Sequence, residues 1–325
     1  MSCGSRAASP RPTSCDPAVH LNPRVLPAPV RTLLLAVIAI ALSGCNPGAG
    51  EARRLREACA AGDPAACNAF GLKLRKGEYV LEDEAGAAGL FARACEGDVA
   101  QSCVALGVMR QNGEGVPHDS ALAAGLFRQG CAGGAMEGCT SLGVLLRDGD
   151  SVTRDLTAAA DLFQRACDGG QPAGCSHLGA SYARGEGVGQ DPARAAGLFQ
   201  RACDGDVPAA CLGLGELYAA GAGVTRDVAR AAGLYRQACD GKEVAGCVGL
   251  GDLYAAGEGV AQDFEQAAGL YRQACMREHA EACYSLGVLH QNGTGVPRQP
   301  GRAASLIRRS CDLGYAEACP KERPS

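Results

Sequence analysis

Beyond residue 50 the apolar positions of the chain follow two nested spacings. Within short stretches they fall three and four apart, as on one face of an α-helix, and the whole arrangement returns every 36 residues. In residues 211–239, CLGLGELYAAGAGVTRDVARAAGLYRQAC, the face of a first helix is marked by Cys211, Leu214, Gly215 and Tyr218. Gly221, Gly223 and Val224 interrupt it. Asp227 then offers an N-cap oxygen to a second helix, whose inward stripe is Ala231, Leu234, Tyr235 and Ala238. The predicted unit is a pair of short helices, and a fixed period of this size predicts a solenoid of stacked pairs. Each of seven units keeps a glycine in its first helix: Gly71, Gly107, Gly143, Gly179, Gly215, Gly251 and Gly287. A mid-helix glycine costs about 0.5–1 kcal/mol relative to alanine, so its repetition predicts another helix crossing there at close range. Ala-Ala pairs on the second arm, from Ala87/Ala88 to Ala303/Ala304, would let that contact close. Small residues at the crossings would also account for the scarcity of aromatics.

Cysteine keeps the same period, as Cys59/Cys67, Cys95/Cys103, Cys131/Cys139, Cys167/Cys175, Cys203/Cys211, Cys239/Cys247, Cys275/Cys283 and Cys311/Cys319. Eight residues along one continuous helix would separate two α-carbons by roughly 12 Å, more than the 7 Å or so that a disulfide tolerates. The helix is therefore expected to stop between the two cysteines. In RACDGDVPAAC, residues 201–211, Gly205 suits the left-handed position that ends a helix. Asp206 suits the cap of the next helix and Pro208 its first turn.

Composition sharpens this picture. The 325 residues include no Trp, 46 Gly and 19 Cys, and only 4% are aromatic, which argues against one bulky core. Cysteine-dense chains belong to oxidising compartments or bind metal. LGELYAAGAGVTRDVARAAGLYRQA resembles a Sel1-like repeat, a relative of the tetratricopeptide repeat with a longer turn. With the Cys-x7-Cys spacing added, the chain is similar to the cysteine-rich Sel1 proteins secreted by some bacteria. The resemblance covers residues 51–319: an N-terminal half-unit at 51–63, seven repeats at 64–315, and a C-terminal tail at 316–325. It implies an all-α, right-handed α/α superhelical solenoid of seven 36-residue helix pairs, stapled by disulfides that join each second helix to the next first helix. Closing a loop of nine residues would contribute roughly 2.6 kcal/mol per bridge on the chain-entropy argument. Buried free thiols and metal ligation are the alternative readings, and the x7 spacing without periodic His suits zinc poorly. Three positions depart from the repeat: Tyr79 and Ser151 replace turn glycines, and Gln299 replaces the capping Asp.

The N-terminus bears on compartment. Residues 33–42, LLLAVIAIAL, follow Arg31 and form an apolar run too short for the roughly 20 residues of a spanning helix, as expected of an export signal. LSGC, residues 42–45, resembles a bacterial lipobox. That resemblance implies a signal peptide at 1–44, cleavage before Cys45 and a diacylglyceryl thioether on that cysteine, while the stretch before Arg31, Pro-rich and long for an n-region, places the true start near residues 25–30. The alternative is ordinary cleavage that leaves Cys45 as a spare thiol. Asn46, rather than Asp, after the lipidated residue implies outer-membrane sorting. Residues 45–50 would then be the lipidated cysteine and a short tether of about five residues, with a reach of roughly 17 Å.

Of 31 Lys+Arg and 35 Asp+Glu, residues 1–44 hold four and one, so the mature chain is more acidic than the formal −4 of the whole. No basic block follows a phosphate backbone, which excludes nucleic acid as a partner class. Catalytic signatures are also missing: there is no Ser-x-x-Lys, His-Glu-x-x-His, Gly-x-Ser-x-Gly or Gly-x4-Gly-Lys. His177 and His290 fall on first helices and His118 and His279 in turns, where partly buried or solvated structural roles are the plain reading. No cofactor, metal or catalytic residue is expected. Some cysteine-rich Sel1 relatives are described as penicillin-binding or weakly β-lactam-hydrolysing, and the resemblance carries that activity as an alternative.

By analogy with the family, the first helices line a concave groove, where the copied units differ most. The candidate groove residues are Asn68, Val104, Ser176, Leu212 and Tyr284 at one level, and Val108, Glu216, Asp252 and Val288 at the next. The expected function is a non-enzymatic, envelope-anchored scaffold that holds a protein, a peptide or a peptidoglycan fragment and meets the membrane only through its lipid. A passive spacer or assembly subunit is the second alternative.

Overall fold

The computed structural model describes residues 47–149 and 151–319. The signal segment, the lipidation candidate Cys45 and the last six residues lie outside the described residues. Among those described there are fifteen α-helices, one 3₁₀ turn and no strand. The helices are α1 (Pro47–Ala60), α2 (Pro64–Lys76), α3 (Glu84–Glu96), α4 (Ala100–Asn112), α5 (Ser120–Ala132), α6 (Met136–Asp148), α7 (Leu156–Asp168), α8 (Pro172–Arg184), α9 (Pro192–Asp204), α10 (Pro208–Ala220), α11 (Val228–Asp240), α12 (Val244–Ala256), α13 (Phe264–Met276), α14 (Ala280–Asn292) and α15 (Pro300–Asp312). The even-numbered helices are first arms and the odd-numbered ones from α3 onward are second arms. They fall into two compact units. One holds the helices up to Val99 together with Glu114–Pro117, and the other holds Ala100–Gly113 and everything from His118. The fold is an all-α solenoid of repeated helix pairs.

Residues 47–50 of the expected tether are helical, as part of α1, while Cys45 and Asn46 lie outside the described residues. Proline is preorganised for a helical turn, and the helix continues through Gly48 and Gly50 to Glu51. At the starts of the second arms, the side chains of Asp83, Asp119, Asp155, Asp191, Asp227 and Asp263 accept backbone N–H bonds from their helices. Gln299 makes no such bond at α15. The first arms end on left-handed glycines such as Gly185 (φ 72°) and Gly221 (φ 71°).

The glycine of each first helix does mark a close approach, but a ring rather than a backbone fills it. A Cβ on Gly107 would sit 2.7 Å from the Phe127 ring, and on Gly179 2.8 Å from Phe199. The same contact pairs Gly71 with Phe91, Gly143 with Phe163, Gly215 with Tyr235 and Gly251 with Tyr271, while Ile307 takes the ring's place against Gly287. Four of the six Phe residues are spent on this one position. The few rings present are concentrated at the crossing, and the glycine makes room for them. The Ala-Ala pairs flank the ring, both members buried from Ala87/Ala88 to Ala267/Ala268; in the last pair Ala303 is buried and Ala304 exposed.

Seven cysteine pairs form disulfides with Cα–Cα distances of 4.5–4.8 Å: Cys59–Cys67, Cys131–Cys139, Cys167–Cys175, Cys203–Cys211, Cys239–Cys247, Cys275–Cys283 and Cys311–Cys319. Cys95 and Cys103 are disulfide-bonded as well. The helix does stop between the paired cysteines, one residue later than the local composition suggested. Gly205 has φ −93° and Asp206 is the left-handed residue (φ 58°). The Asp206 N–H donates to the Cys203 carbonyl and the Val207 N–H to that of Ala202, both at 3.1 Å, which is a Schellman closure. Val207 rather than Asp206 is therefore the N-cap of α10, and it makes no side-chain cap bond. Asp98, Lys242 and Glu278 hold the same left-handed position without glycine. Arginines on second helices add further ties: Arg93 donates to the Cys59 carbonyl at 2.8 Å and Arg165 to that of Cys131 at 2.9 Å. These bonds occupy helix-end carbonyls that have no partner within their own helix.

Two substitutions probe these devices by chemical denaturation. Gly179→Ala is expected to lower stability by about 1–3 kcal/mol, because its methyl overpacks against Phe199. Lys242→Gly is expected to raise stability by about 0.5–1 kcal/mol by relieving the left-handed backbone.

Candidate functional site

The candidate residues lie one helical turn apart on the first arms, so each pair of levels shares a face. Asn68, on α2, is half-buried. In the second unit Val104, Val108, Ser176, Leu212, Tyr284 and Val288 are half-buried, while Glu216 and Asp252 are exposed. Val104 and Val108 pack against the cluster around Phe127, and Leu212 packs against those around Phe199 and Tyr235. These three are partly core residues, because a second helix lies closer to their side than the 3.6-residue spacing alone shows. Tyr284 rests against Tyr315, with ring centroids 5.4 Å apart.

Glu216 and Asp252 are brought together with tyrosine. Where the first-arm residue after the glycine is Val108, Val144 or Ala180, the ring on the second arm is Phe; where it is Glu216 or Asp252, the ring is Tyr235 or Tyr271. The Tyr271 hydroxyl donates to Asp252 Oδ1 at 2.6 Å. Crowding by the surrounding helices raises the Asp252 carboxyl above its ordinary range. The Tyr271 bond partly offsets this, and the charge of Glu281 adds to it. Glu216 is raised for the same first reason, with Glu243 adding repulsion. Tyr235 is raised by burial and by the charges of both Glu216 and Asp252. The result is an acidic band of exposed carboxylates on α10 and α12, backed by the buried rings of Tyr235 and Tyr271.

The histidines have local structural partners. His177 stacks on Phe163 at 4.9 Å. Arg147 Nη1 lies 3.3 Å from His177 Nδ1, and since a guanidinium only donates, Nδ1 accepts and the ring is neutral. Burial first, and Arg147 second, lower its pKa. His279 Nδ1 accepts from the Ala282 N–H at the start of α14. Buried His290 places Nδ1 3.2 Å from the Pro297 carbonyl. Ser120 Oγ lies 3.3 Å from His118 Nε2, but Ser120 is buried at the first residue of α5, where a substrate cannot reach it. Among the described residues no three His, Cys, Asp or Glu side chains are grouped to hold a metal ion.

One feature escaped the sequence reading. Tyr182, Tyr218 and Tyr254 stand at the same place in successive first arms, each beside an arginine of a second arm. Arg230 lies over the Tyr218 ring at 4.4 Å and Arg194 over that of Tyr182 at 5.5 Å, while Arg236 donates to the Tyr254 hydroxyl at 2.6 Å. Tyr218, Arg226 and Arg230 line an open hollow of about 760 Å³. The 36-residue recurrence of tyrosine was its visible signal.

The family model for the Sel1 repeat matches residues 100–134, 137–171, 172–207, 208–242, 244–279 and 280–315. The pair α2–α3, in which Tyr79 stands for the turn glycine, lies outside those matches. Among solved structures, the chain is similar to a protective antigen of uropathogenic Escherichia coli that displays an SLR fold. Identity is 28% and the TM-score 0.73, over 82% of this chain and 57% of that one, so this chain spans little more than half of that protein's length. It is similar to a Sel1 repeat protein from Oxalobacter formigenes at 25% identity and a TM-score of 0.67, over 82% of this chain and 77% of that one. The cysteine rich protein B of Helicobacter pylori matches at 27% identity and a TM-score of 0.32, over 39% of this chain and 90% of that one. No curated protein matches the chain.

The raised carboxyls give a pH test. Glu216 and Asp252 hold their protons more readily folded than unfolded. The stability they contribute is therefore complete below the ordinary carboxylate range of about 4 and is lost as pH rises through their raised values. The double variant Glu216→Gln/Asp252→Asn is expected to narrow the change in melting temperature between about pH 4 and pH 7, as read by thermal denaturation.

Proposed function

Since the chain belongs to the Sel1 repeat family, whose solenoids typically serve as protein-interaction scaffolds, we propose that it is a non-enzymatic scaffold held at the cell envelope. Its first-arm face binds a basic segment of a partner protein. The observation that carries this reading is the paired change from Val or Ala with Phe to Glu216 with Tyr235 and Asp252 with Tyr271. In four of the other units the crossing keeps a phenylalanine ring, and in the last Ile307 takes its place. Here two successive units set carboxylates at the surface, at the cost of crowding that raises their pKa. A cationic side chain laid along the band would offset that cost, since an opposite charge within a few ångströms favours the ionised form.

Attachment to the envelope is supported by the apolar run 33–42 followed by LSGC, with Cys45 carrying the lipid and Asn46 favouring the outer membrane. The disulfides agree, because such bonds persist in oxidising compartments outside the cytosol.

The test is cross-linking in living cells from photoreactive residues at positions 212 and 284, followed by binding of the purified partner. Charge reversal, Glu216→Lys/Asp252→Lys, is expected to weaken binding by more than about tenfold through like-charge repulsion, with the disulfides and helical content unchanged. Affinity unaffected by the reversal would remove the band from the function. Capture of muropeptides instead of protein would redirect it to the cell wall, and no specific capture at all would leave a spacer.

A further inference from the structure

We propose that the turn Tyr79–Leu81, between α2 and α3, seats on the lipid surface to which the chain is anchored. The proposal rests on the envelope-anchor reading above and adds a second, non-covalent contact to it. Leu81 is 90% exposed and Tyr79 58% exposed, an unusual pair of large apolar groups to present from one turn. The repeat supplies its own comparison. At the place of Tyr79 the other units carry Gly115, Ser151, Gly187, Gly223, Gly259 and Gly295, and at the place of Leu81 they carry Pro, Thr, Gly, Thr, Ala and Pro. Tyr79 also occupies the left-handed backbone (φ 62°) that glycine serves in five of those six units. A bulky aromatic is a genuine outlier there.

The position of the turn gives it an occupant. The Tyr79 ring lies directly over Gly48 in the first turn of α1, where even a methyl group on Gly48 would collide with it. Gly48 is three residues past Cys45, and only Asn46 lies between that cysteine and Pro47 in the sequence. Two peptide units span at most roughly 8 Å. Acyl chains on Cys45 therefore bring this turn, before any other, to the bilayer. A tyrosine beside a leucine suits the interfacial depth, with the ring partly apolar and its hydroxyl in water.

Charge does not drive the contact. Lys73 is held by Glu51 at 3.1 Å, with its ammonium 5.7 Å from the Tyr79 ring centroid, and Lys76 lies 3.7 Å from Glu78. Glu82, Asp83 and Glu84 follow the turn. The seating is apolar, and salt should leave it unchanged.

The chain contains no tryptophan, so Leu81→Trp introduces a single reporter. The exported full-length protein, purified from membranes, is reconstituted into vesicles of phosphatidylethanolamine and phosphatidylglycerol with and without brominated acyl chains. Leu122→Trp, at another exposed leucine, serves as the control. The Leu81→Trp emission is expected to shift to shorter wavelength on reconstitution and to be quenched by the brominated lipid, at low and high salt alike, while Leu122→Trp keeps the emission of water. Vesicle-bound protein whose Leu81→Trp emission stays that of water overturns the inference and leaves the anchor standing. Protein that does not float with the vesicles overturns both. A shifted emission that brominated lipid does not quench puts protein over the turn, whether the chain's own upstream residues or a second copy, and also overturns the inference.

Discussion

The contact between a first-helix glycine and the ring of its own second helix sets the geometry of every pair it closes. Without a Cβ at Gly107 or Gly179, the second helix can lay Phe127 or Phe199 against bare backbone. The small pairs Ala123/Ala124 and Ala195/Ala196 then bury beside that ring. Each such pair thus adds a buried ring to a core otherwise built of alanines, cysteines and a few leucines such as Leu178 and Leu214. A core this lean gains much from covalent support, and each disulfide supplies it where one pair hands the chain to the next, with the α-carbons under 5 Å apart. The arginine bonds from Arg93 and Arg165 back to cysteine carbonyls reinforce the same seam.

The same contact reaches the surface. A ring seated over the glycine points its far edge toward the next residue of the first arm, so a hydroxyl on the ring meets whatever stands there. Tyr271 meets Asp252 in this way. A change in the core from Phe to Tyr is therefore coupled to a change on the exposed face from Val or Ala to a carboxylate. Packing and surface charge share one position in the repeat, so a copied unit can change its exposed face without altering its fold.

The first pair departs from the rest for reasons that are local. Among the described residues it is preceded by α1 alone, and the turn that elsewhere settles on the start of the preceding second arm meets Gly48 instead. The place that holds glycine in five of the other units, where close backbone leaves no room for a side chain, can there hold Tyr79. At the other end Gln299 leaves α15 without a side-chain cap, and Ile307 stands in for the ring.

Much of this was legible in the sequence. The period gave the pairs, the Asp before six of the seven second arms gave its cap, and the broken helix between Cys203 and Cys211 placed them on different arms. These features rest on residues near one another along the chain, and short-range spacing carries them. The tertiary structure decided the rest. Whether Gly205 or Asp206 takes the left-handed backbone depends on which carbonyls the closing N–H groups reach, and composition favours glycine without fixing the register. That Phe91 fills the space at Gly71, and that Val104 and Leu212 belong partly to the core, depends on neighbours supplied by a different helix. Periodicity within one helix records which face is apolar, but not what comes to rest against it.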